Sequence, residues 1–247
     1  MKAVVLLITV VLLFCNSRAQ ADMLGVTLYG DISQLQLRGQ GGDHLLGQPL
    51  QSADDLWRSW SIAVEHPMPL LPNVALRHQT GNWIGQTQLA GNFQLDGQYF
   101  ADQTKIDHRF DLTTTDVSFY YEVLDNSLFA LDLGATALQY DLGLSVTQPD
   151  TSHRNASGFL PLLYSHLTVQ LWGLDTSLFW QGFYTDYRDQ RWSQTKIGLG
   201  YEFVDLTAVT LAVKVGWQHQ SVKLINKDQL DADFLMKGAF LALEVDF

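Results

Sequence analysis

The sequence is poor in cysteine, in proline, in basic residues and in long apolar runs. Its 247 residues include one cysteine, Cys15, and six prolines. Cys15 lies near the start of the chain. The residues after it therefore include no thiol that could form a disulfide, act as a nucleophile or bind a metal ion. No apolar stretch after residue 21 approaches the ~20 residues of a membrane-spanning helix. Lys and Arg number 15 against 26 Asp and Glu, so the formal charge of −11 argues against a nucleic-acid partner.

The first 21 residues have the pattern of a secretory signal peptide. Lys2 gives a basic start, residues 3–14 are apolar, and residues 19–21 (Ala-Gln-Ala) form a small-x-small cleavage site. Cleavage after Ala19 is the alternative, and the bulky Phe14 before Cys15 disfavours a lipoprotein. We therefore expect a signal peptide over 1–21 and a single domain over 22–247.

Alternation of apolar and other residues predicts β-strands throughout the remaining chain. The last ten residues, 238–247, are apolar at every second position counted back from Phe247. Similar runs occupy 116–123, 131–137, 196–203 and 209–218. Only alternate residues of a membrane barrel face lipid, so its mean hydropathy stays near zero, as here. The 29 aromatic residues suit interfacial girdles. The sequence thus predicts an all-β fold, a closed antiparallel transmembrane β-barrel.

The breaks between these runs predict the number of strands. Four short breaks, near residues 66–73, 124–127, 173–175 and 204–206, alternate with five longer polar ones, at 39–58, 96–111, 148–157, 186–190 and 223–233. Outer-membrane barrels have short periplasmic turns and long external loops. We therefore expect about ten strands of ~9–11 residues, with both termini in the periplasm and eight strands as the alternative.

Two segments resemble known barrel motifs. The final strand resembles the C-terminal signal that the barrel-assembly machinery recognises, through Gly238, Leu241, Leu243, Val245 and Phe247; it departs from that pattern at Met236. Residues 66–73, His-Pro-Met-Pro-Leu-Leu-Pro-Asn, resemble the first periplasmic turn of a family of small outer-membrane barrels from Gram-negative bacteria whose function is uncharacterised. The resemblance implies an outer-membrane location, a surrounding of lipid and lipopolysaccharide, and the assembly machinery as a partner during biogenesis. It supplies no ligand and no catalytic residue.

The strand faces opposite the apolar ones are expected to line the lumen. A charge facing lipid at mid-membrane costs ~2–4 kcal/mol, so charged residues should point inward. The charges concerned are those of Glu65, Arg77, Asp116, Glu122, Asp132, Lys196, Glu202, Lys214 and Glu244. Within a narrow lumen we expect Lys196 and Lys214 to pair with acids such as Glu202 or Glu122.

The sequence favours a structural barrel or a narrow channel for small solutes, with a polar, ion-paired lumen. The alternatives are a barrel enzyme with an active site at the rim and a surface protein that binds through its loops. Ser165 and His166 are adjacent, so on a strand they face opposite sides and cannot form a catalytic pair. As possible metal ligands, His44, His108 and His153 form only a loose set in predicted loops. We expect no enzymatic activity, no catalytic residue, no cofactor and no metal site, and the sequence identifies no solute.

Overall fold

The computed structural model describes residues 24–43, 48–51, 55–68, 70–148, 150–171, 174–206 and 209–247. The expected signal peptide, residues 1–21, and His44 lie outside these ranges. The described residues form thirteen strands: β1 (Gly25–Asp43), β2 (Gln48–Gln51), β3 (Asp55–Glu65), β4 (Asn73–Gln88), β5 (Phe93–Leu95), β6 (Gln98–Phe100), β7 (Lys105–Asp125), β8 (Phe129–Thr147), β9 (Thr151–Gln170), β10 (Thr176–Tyr187), β11 (Gln190–Leu206), β12 (Val209–Lys227) and β13 (Leu230–Asp246).

Ten of these strands close into one antiparallel barrel, as the sequence predicted. Strand order follows the chain, and β13 pairs with β1 from Thr27↔Asp246 to Asp43↔Leu230. At the seam the Phe247 amide donates to the Val26 carbonyl at 3.0 Å, and the Val26 amide donates back at 3.2 Å. β2 extends the edge of β1, and β5 with β6 forms a separate hairpin. Among the described residues, no helix is long and apolar enough to cross a membrane.

The strands tilt because the pairing register is staggered around the wall. Following directly paired residues from Asp31 through β3, β4, β7 and β8 leads to Gly158 on β9. Following them the other way, through β13, β12, β11 and β10, leads to Gln170 on the same strand. The two end points differ by 12 residues, which is the stagger of the closed barrel. Ten strands with this stagger tilt by about 40° from the barrel axis.

Most strands are longer than predicted. β7 has 21 residues and β9 has 20. At ~3.3 Å per residue and a tilt of about 40°, the wall is ~50 Å high, about twice the apolar band of an outer-membrane barrel. We call the end at which β1 begins and β13 ends the terminal end, and the opposite end the far end.

The prediction of long loops at the far end was wrong for three of the five. The described residues of 148–157, 186–190 and 223–233 are largely strand, with tight turns at 188–189 and 228–229. The turns at 188–189 and 228–229 have φ of +49° to +66°, the left-handed pair of a two-residue hairpin. These segments are polar because their outward side chains face water, while their inward side chains are buried.

The outer wall changes character halfway along the strands. On β7 the outward residues near the terminal end are Val117, Phe119, Tyr121 and Val123, and those near the far end are Lys105, Asp107, Arg109, Asp111 and Thr113. Exposed aromatic residues lie at both edges of the apolar half of the outer wall. The edge towards the far end has Trp60, Phe159, Tyr184 and Trp217, and the edge at the terminal end has Tyr121, Phe129, Tyr201, Phe203 and Phe247. The terminal half therefore has the apolar band and the two aromatic girdles of a membrane barrel.

The inward-facing side chains change from polar to apolar between the terminal half and the far half, the reverse of the outer wall. In the terminal half the inward residues are mostly polar or charged, whereas in the far half they form one apolar cluster. Leu35 and Leu37 of β1, Phe110 and Leu112 of β7, and Phe234 of β13 are fully buried in that cluster. The far half of the barrel is thus built like a water-soluble protein, with an apolar core inside a polar surface. A wholly polar lumen was the wrong expectation for this half.

Candidate functional site: a polar cup beneath an apolar plug

A polar cavity of about 390 Å³ occupies the terminal half of the lumen and is called the cup below. Eight of the nine residues expected in the lumen line it: Glu65, Arg77, Glu122, Asp132, Lys196, Glu202, Lys214 and Glu244. The ninth, Asp116, is buried beside Arg77. Asp125 and Asp246, at strand ends, also line the cup, so it opens at the terminal end.

The two lysines of the cup have different partners from those expected. The Lys196 ammonium donates to Asp31 at 2.6 Å, and the Lys214 ammonium donates to Glu244 at 2.5 Å. Asp31 lies on β1, with two strands, β12 and β13, between it and β11, and Lys196 reaches it across the curve of the barrel. Glu202 was the wrong partner because it lies three inward positions nearer the terminal end of the same strand.

Arg77 bridges the lumen at the floor of the cup. Its Nε and Nη2 atoms both donate to Asp116 Oδ2 at 2.9 Å. The guanidinium carbon lies 3.9 Å from the ring centroid of Phe183 on β10, with three strands between β4 and β10. An arginine–aromatic contact at this distance is attractive, and here it joins nearly opposite walls.

The remaining acids of the cup have mostly uncharged partners. Tyr120 donates its hydroxyl proton to Glu65 at 2.8 Å, and Asn73 donates to Glu122 at 2.8 Å. Asp132 Oδ2 lies 3.3 Å from His166 Nδ1. The cup therefore combines ion pairs with carboxyl groups that are hydrogen-bonded to tyrosine, asparagine or histidine.

A layer of buried amides lies next to the floor of the cup. We call Gln79, Gln194, Gln218 and Gln220 the glutamine belt; each is at most 1% exposed. Ser33 Oγ lies 3.2 Å from Gln218 Oε1, but the Nε2 atoms of all four glutamines have no partner within the described residues. Buried polar groups without protein partners are usually hydrogen-bonded to internal water. The belt is the transition from the polar lumen to the apolar one.

Between the glutamine belt and the far end, a buried apolar cluster fills the lumen. We call this cluster the plug; it includes Trp57, Trp83, Phe110 and Phe234. The rings of Phe110 and Phe234 are tilted, with centroids 4.3 Å apart, although three strands separate β7 from β13. Trp57 stacks on Trp83, whose indole N–H donates to the Leu35 carbonyl at 2.9 Å. A Cβ on Gly41 would lie 2.9 Å from the Phe234 ring, so this glycine permits the close packing.

The β5–β6 hairpin covers the far end of the plug. Phe93 and Phe100 pack against each other and join the same buried cluster. The Asp43 carboxylate accepts the backbone amides of Asp96 and Gly97, each at 3.0 Å, and Arg154 lies 3.4 Å from Asp43. These contacts hold the turn of the hairpin to the end of β1.

The proline-rich turn at the terminal end is ordered by its flanking residues. His66 Nδ1 accepts the Met68 amide at 3.3 Å, so Nε2 carries the proton and donates to the Pro72 carbonyl at 3.2 Å. The His66 amide donates to Asn73 Oδ1 at 3.1 Å. The histidine and asparagine that frame the motif therefore hold the two ends of the turn together.

The residues of the expected assembly signal lie on β13 and at the chain end. Leu241, Leu243 and Phe247 are about half exposed on the outer wall. A Cβ on Gly238 would lie 1.8 Å from the Gln34 carbonyl, so the close approach of β1 requires glycine there. Met236, the departure from the motif, is fully buried in the plug, which explains an apolar residue at that position.

The structure separates the histidines considered for catalysis and for metal binding. His166 points into the cup, and its neighbour Ser165 lies on the outward-facing side of β9. His108 is buried near the plug, while His153 is exposed and lies 2.8 Å from the Ser145 hydroxyl. No group of three His, Cys, Asp or Glu side chains in the described part of the chain is arranged to hold a metal ion.

Asp228 and Arg109, two of the charged groups at the far end, have shifted pKa values. The pKa of Asp228 lies below its ordinary value, mainly because Lys227 donates to its carboxylate at 2.8 Å and also because the Ser157 amide donates to it at 3.2 Å. The pKa of Arg109 is raised by its hydrogen bonds and charge interaction with Asp111. Both pairs lie in the polar half of the outer wall.

Comparison with solved structures agrees with this architecture. The outer membrane protease OmpT from Escherichia coli superposes with a TM-score of 0.52 over 94% of this chain and 99% of its own, at 10% identity. The fold is that of the outer-membrane β-barrels. The transport unit of the E. coli autotransporter AIDA-I matches at a TM-score of 0.41 and 11% identity, over 96% of this chain and 95% of its own. Ail of Yersinia pestis matches at 0.39 and 9%, over 89% and 99%. No protein-family model matches the chain, and no curated protein sequence does either.

Proposed function

We propose that this chain is an integral barrel of the Gram-negative outer membrane, closed to solutes, with a structural role. The terminal end faces the periplasm, and the far half of the barrel stands in water outside the cell. The apolar band with its two aromatic girdles supports this placement, since it matches a bilayer in position and in height. Lipid and lipopolysaccharide surround the band, and the outward residues of β13 serve as the assembly signal.

The observation that carries closure is the contact between Phe110 and Phe234. Their ring centroids are 4.3 Å apart across the lumen, and both side chains are fully buried. Water and ions cannot pass between rings at van der Waals contact. The plug therefore favours a structural barrel over the narrow channel that the sequence also allowed.

Liposome swelling tests closure. Liposomes that contain the purified protein are placed in an iso-osmotic solution of arabinose, and light scattering reports sugar entry. We expect no entry above that of empty liposomes. The double variant Phe110→Ala/Phe234→Ala removes the central contact and should raise sugar entry, because truncation of two buried aromatic side chains leaves a cavity.

Phe159→Ala is the matched control, since Phe159 is an exposed aromatic residue of the outer wall. Heat-modifiable migration in gels confirms that each variant is folded. Sugar entry through the unmodified protein at the rate of an open porin would overturn the proposal and make the chain a channel.

A further inference from the structure

The charges of the cup do not balance. Each cation that lines it has a carboxylate partner: Arg77 has Asp116, Lys196 has Asp31 and Lys214 has Glu244. Six further acidic residues line the cavity, and four of them form no ion pair with Lys or Arg within the described residues: Asp125, Asp132, Glu202 and Asp246. A concave site with charges of one sign attracts ions of the other sign.

Buried polar atoms at and next to the floor of the cup have no protein partner within the described residues. Arg77 lines the cavity with 7% of its surface exposed, and its Nη1 atom has no partner within the described residues. Gln218, paired in register with Lys196, is fully buried with its Nε2 atom unmatched. Buried donors without a protein partner are usually hydrogen-bonded to internal water or to another oxygen acceptor.

The aromatic walls of the cup already accept ammonium groups. The Lys196 ammonium nitrogen lies 5.3 Å from the ring centroid of Tyr29, and the Lys214 nitrogen lies 5.2 Å from that of Phe179. Both rings line the cavity. Distances below ~6 Å are those of cation–π contacts.

From the unbalanced carboxylates, the aromatic walls and the unmatched polar atoms of the floor, we propose that the cup is a binding site for small organic ammonium ions that enter from the terminal end. The ammonium group lies among the excess carboxylates, and its alkyl part packs against Tyr29 and Phe179. The volume of about 390 Å³ accommodates an alkylamine of a few carbons together with water. The plug makes the cup blind, so a bound ion leaves by the way it entered.

Single cysteines test this directly, because Cys15 is the only cysteine and precedes the expected cleavage site. Ser61→Cys places a nearly isosteric thiol on the cup wall, and Ser157→Cys places one on the exposed outer wall. Each variant reacts with two methanethiosulfonates of equal length, one carrying trimethylammonium and the other sulfonate. The ratio of the two rates, normalised to that at Ser157→Cys, reports the selectivity of the cup. Ala63→Cys, also on the cup wall, replaces Ser61→Cys if that variant does not fold.

We expect the cationic reagent to be favoured at Ser61→Cys by about tenfold or more at low salt, and less at high salt. Butylammonium should slow the labelling of Ser61→Cys, whereas butyrate and butanol at the same concentration should not. Adding Glu202→Gln and Asp132→Asn should lower both the selectivity and the protection. Equal normalised rates for the two reagents, or equal protection by butyrate or butanol, would overturn the proposal.

Discussion

The ion pair between Lys196 and Asp31 gives the sharpest test of the interior. Its side chains are 3% and 0% exposed, and the nitrogen and oxygen are 2.6 Å apart. Asp31 also accepts the Ser33 hydroxyl at 3.0 Å. The variant Asp31→Asn keeps the shape of the side chain but leaves the lysine charge buried without a counter-ion. Arg191 and Asp186 form a control pair at the same 2.6 Å, with side chains 55% and 48% exposed on the outer wall.

The two pairs should differ in free energy because they differ in burial. Removing one partner of a buried pair costs ~3–5 kcal/mol, since the other charge stays unpaired. An exposed pair contributes ~0–1 kcal/mol. We therefore expect Asp31→Asn to lower the free energy of unfolding by about 3–5 kcal/mol and Asp186→Asn by less than about 1 kcal/mol. Adding Lys196→Met to Asp31→Asn should recover much of the loss, because no unpaired charge remains.

Urea unfolding in phospholipid vesicles, followed by tryptophan fluorescence, measures these differences. The four proteins to compare are the unmodified chain, Asp31→Asn, Asp31→Asn/Lys196→Met and Asp186→Asn. If Asp31→Asn costs no more than Asp186→Asn, the Lys196–Asp31 pair is not sheltered from water, and the burial argument fails.

Three further outcomes follow from the outer wall and the far end. Leu241→Asp should block assembly into the outer membrane, scored by heat-modifiable migration, while Gln40→Asp on the polar wall should assemble normally; equal assembly would show that Leu241 does not face lipid. Asp43→Ala should expose residues 93–100 to protease, while Asp107→Ala should not, and equal cleavage rates would refute the hairpin contact. Asp228→Asn should lower stability slightly at pH 7 but not near pH 2. The pKa of Asp228 is lower in the folded state than its ordinary value, so its ionised carboxylate stabilises the fold above the ordinary pKa, and this stabilisation is lost as the pH falls through the folded-state pKa. A pH-independent difference in stability would contradict this assignment.

The sequence predicted the closed barrel because alternation is a local signal. The outward residues of β13, such as Leu241 and Leu243, could be read directly, and so could the ten strands separated by turn residues. The inward direction of Lys196 and Lys214 follows from the same alternation. Their partners could not be predicted, because Asp31 is brought to Lys196 by a stagger summed over several strands.

The plug was missed although the sequence carries its signal. On β7 the apolar residues occupy odd positions from 117 to 123 but even positions at Ile106, Phe110 and Leu112. β8 shows the same change of phase, from Leu133 outward to Leu142 inward. Because a period of two has two phases, this shift marks the level at which the apolar face turns from lipid to the interior. Alternation alone does not show which face of a strand is apolar, so without the phase the two halves of each strand look like one membrane-spanning strand.

Planar-bilayer recording tests the closed lumen most directly. Purified protein is inserted into a bilayer between symmetric salt solutions, and current is recorded across a range of voltages. The plug, centred on the contact between Phe110 and Phe234, predicts no steady conductance from the unmodified protein and measurable conductance from Phe110→Ala/Phe234→Ala. A steady, ohmic conductance from the unmodified protein would contradict the account, because ions would then be crossing a lumen that the aromatic core fills.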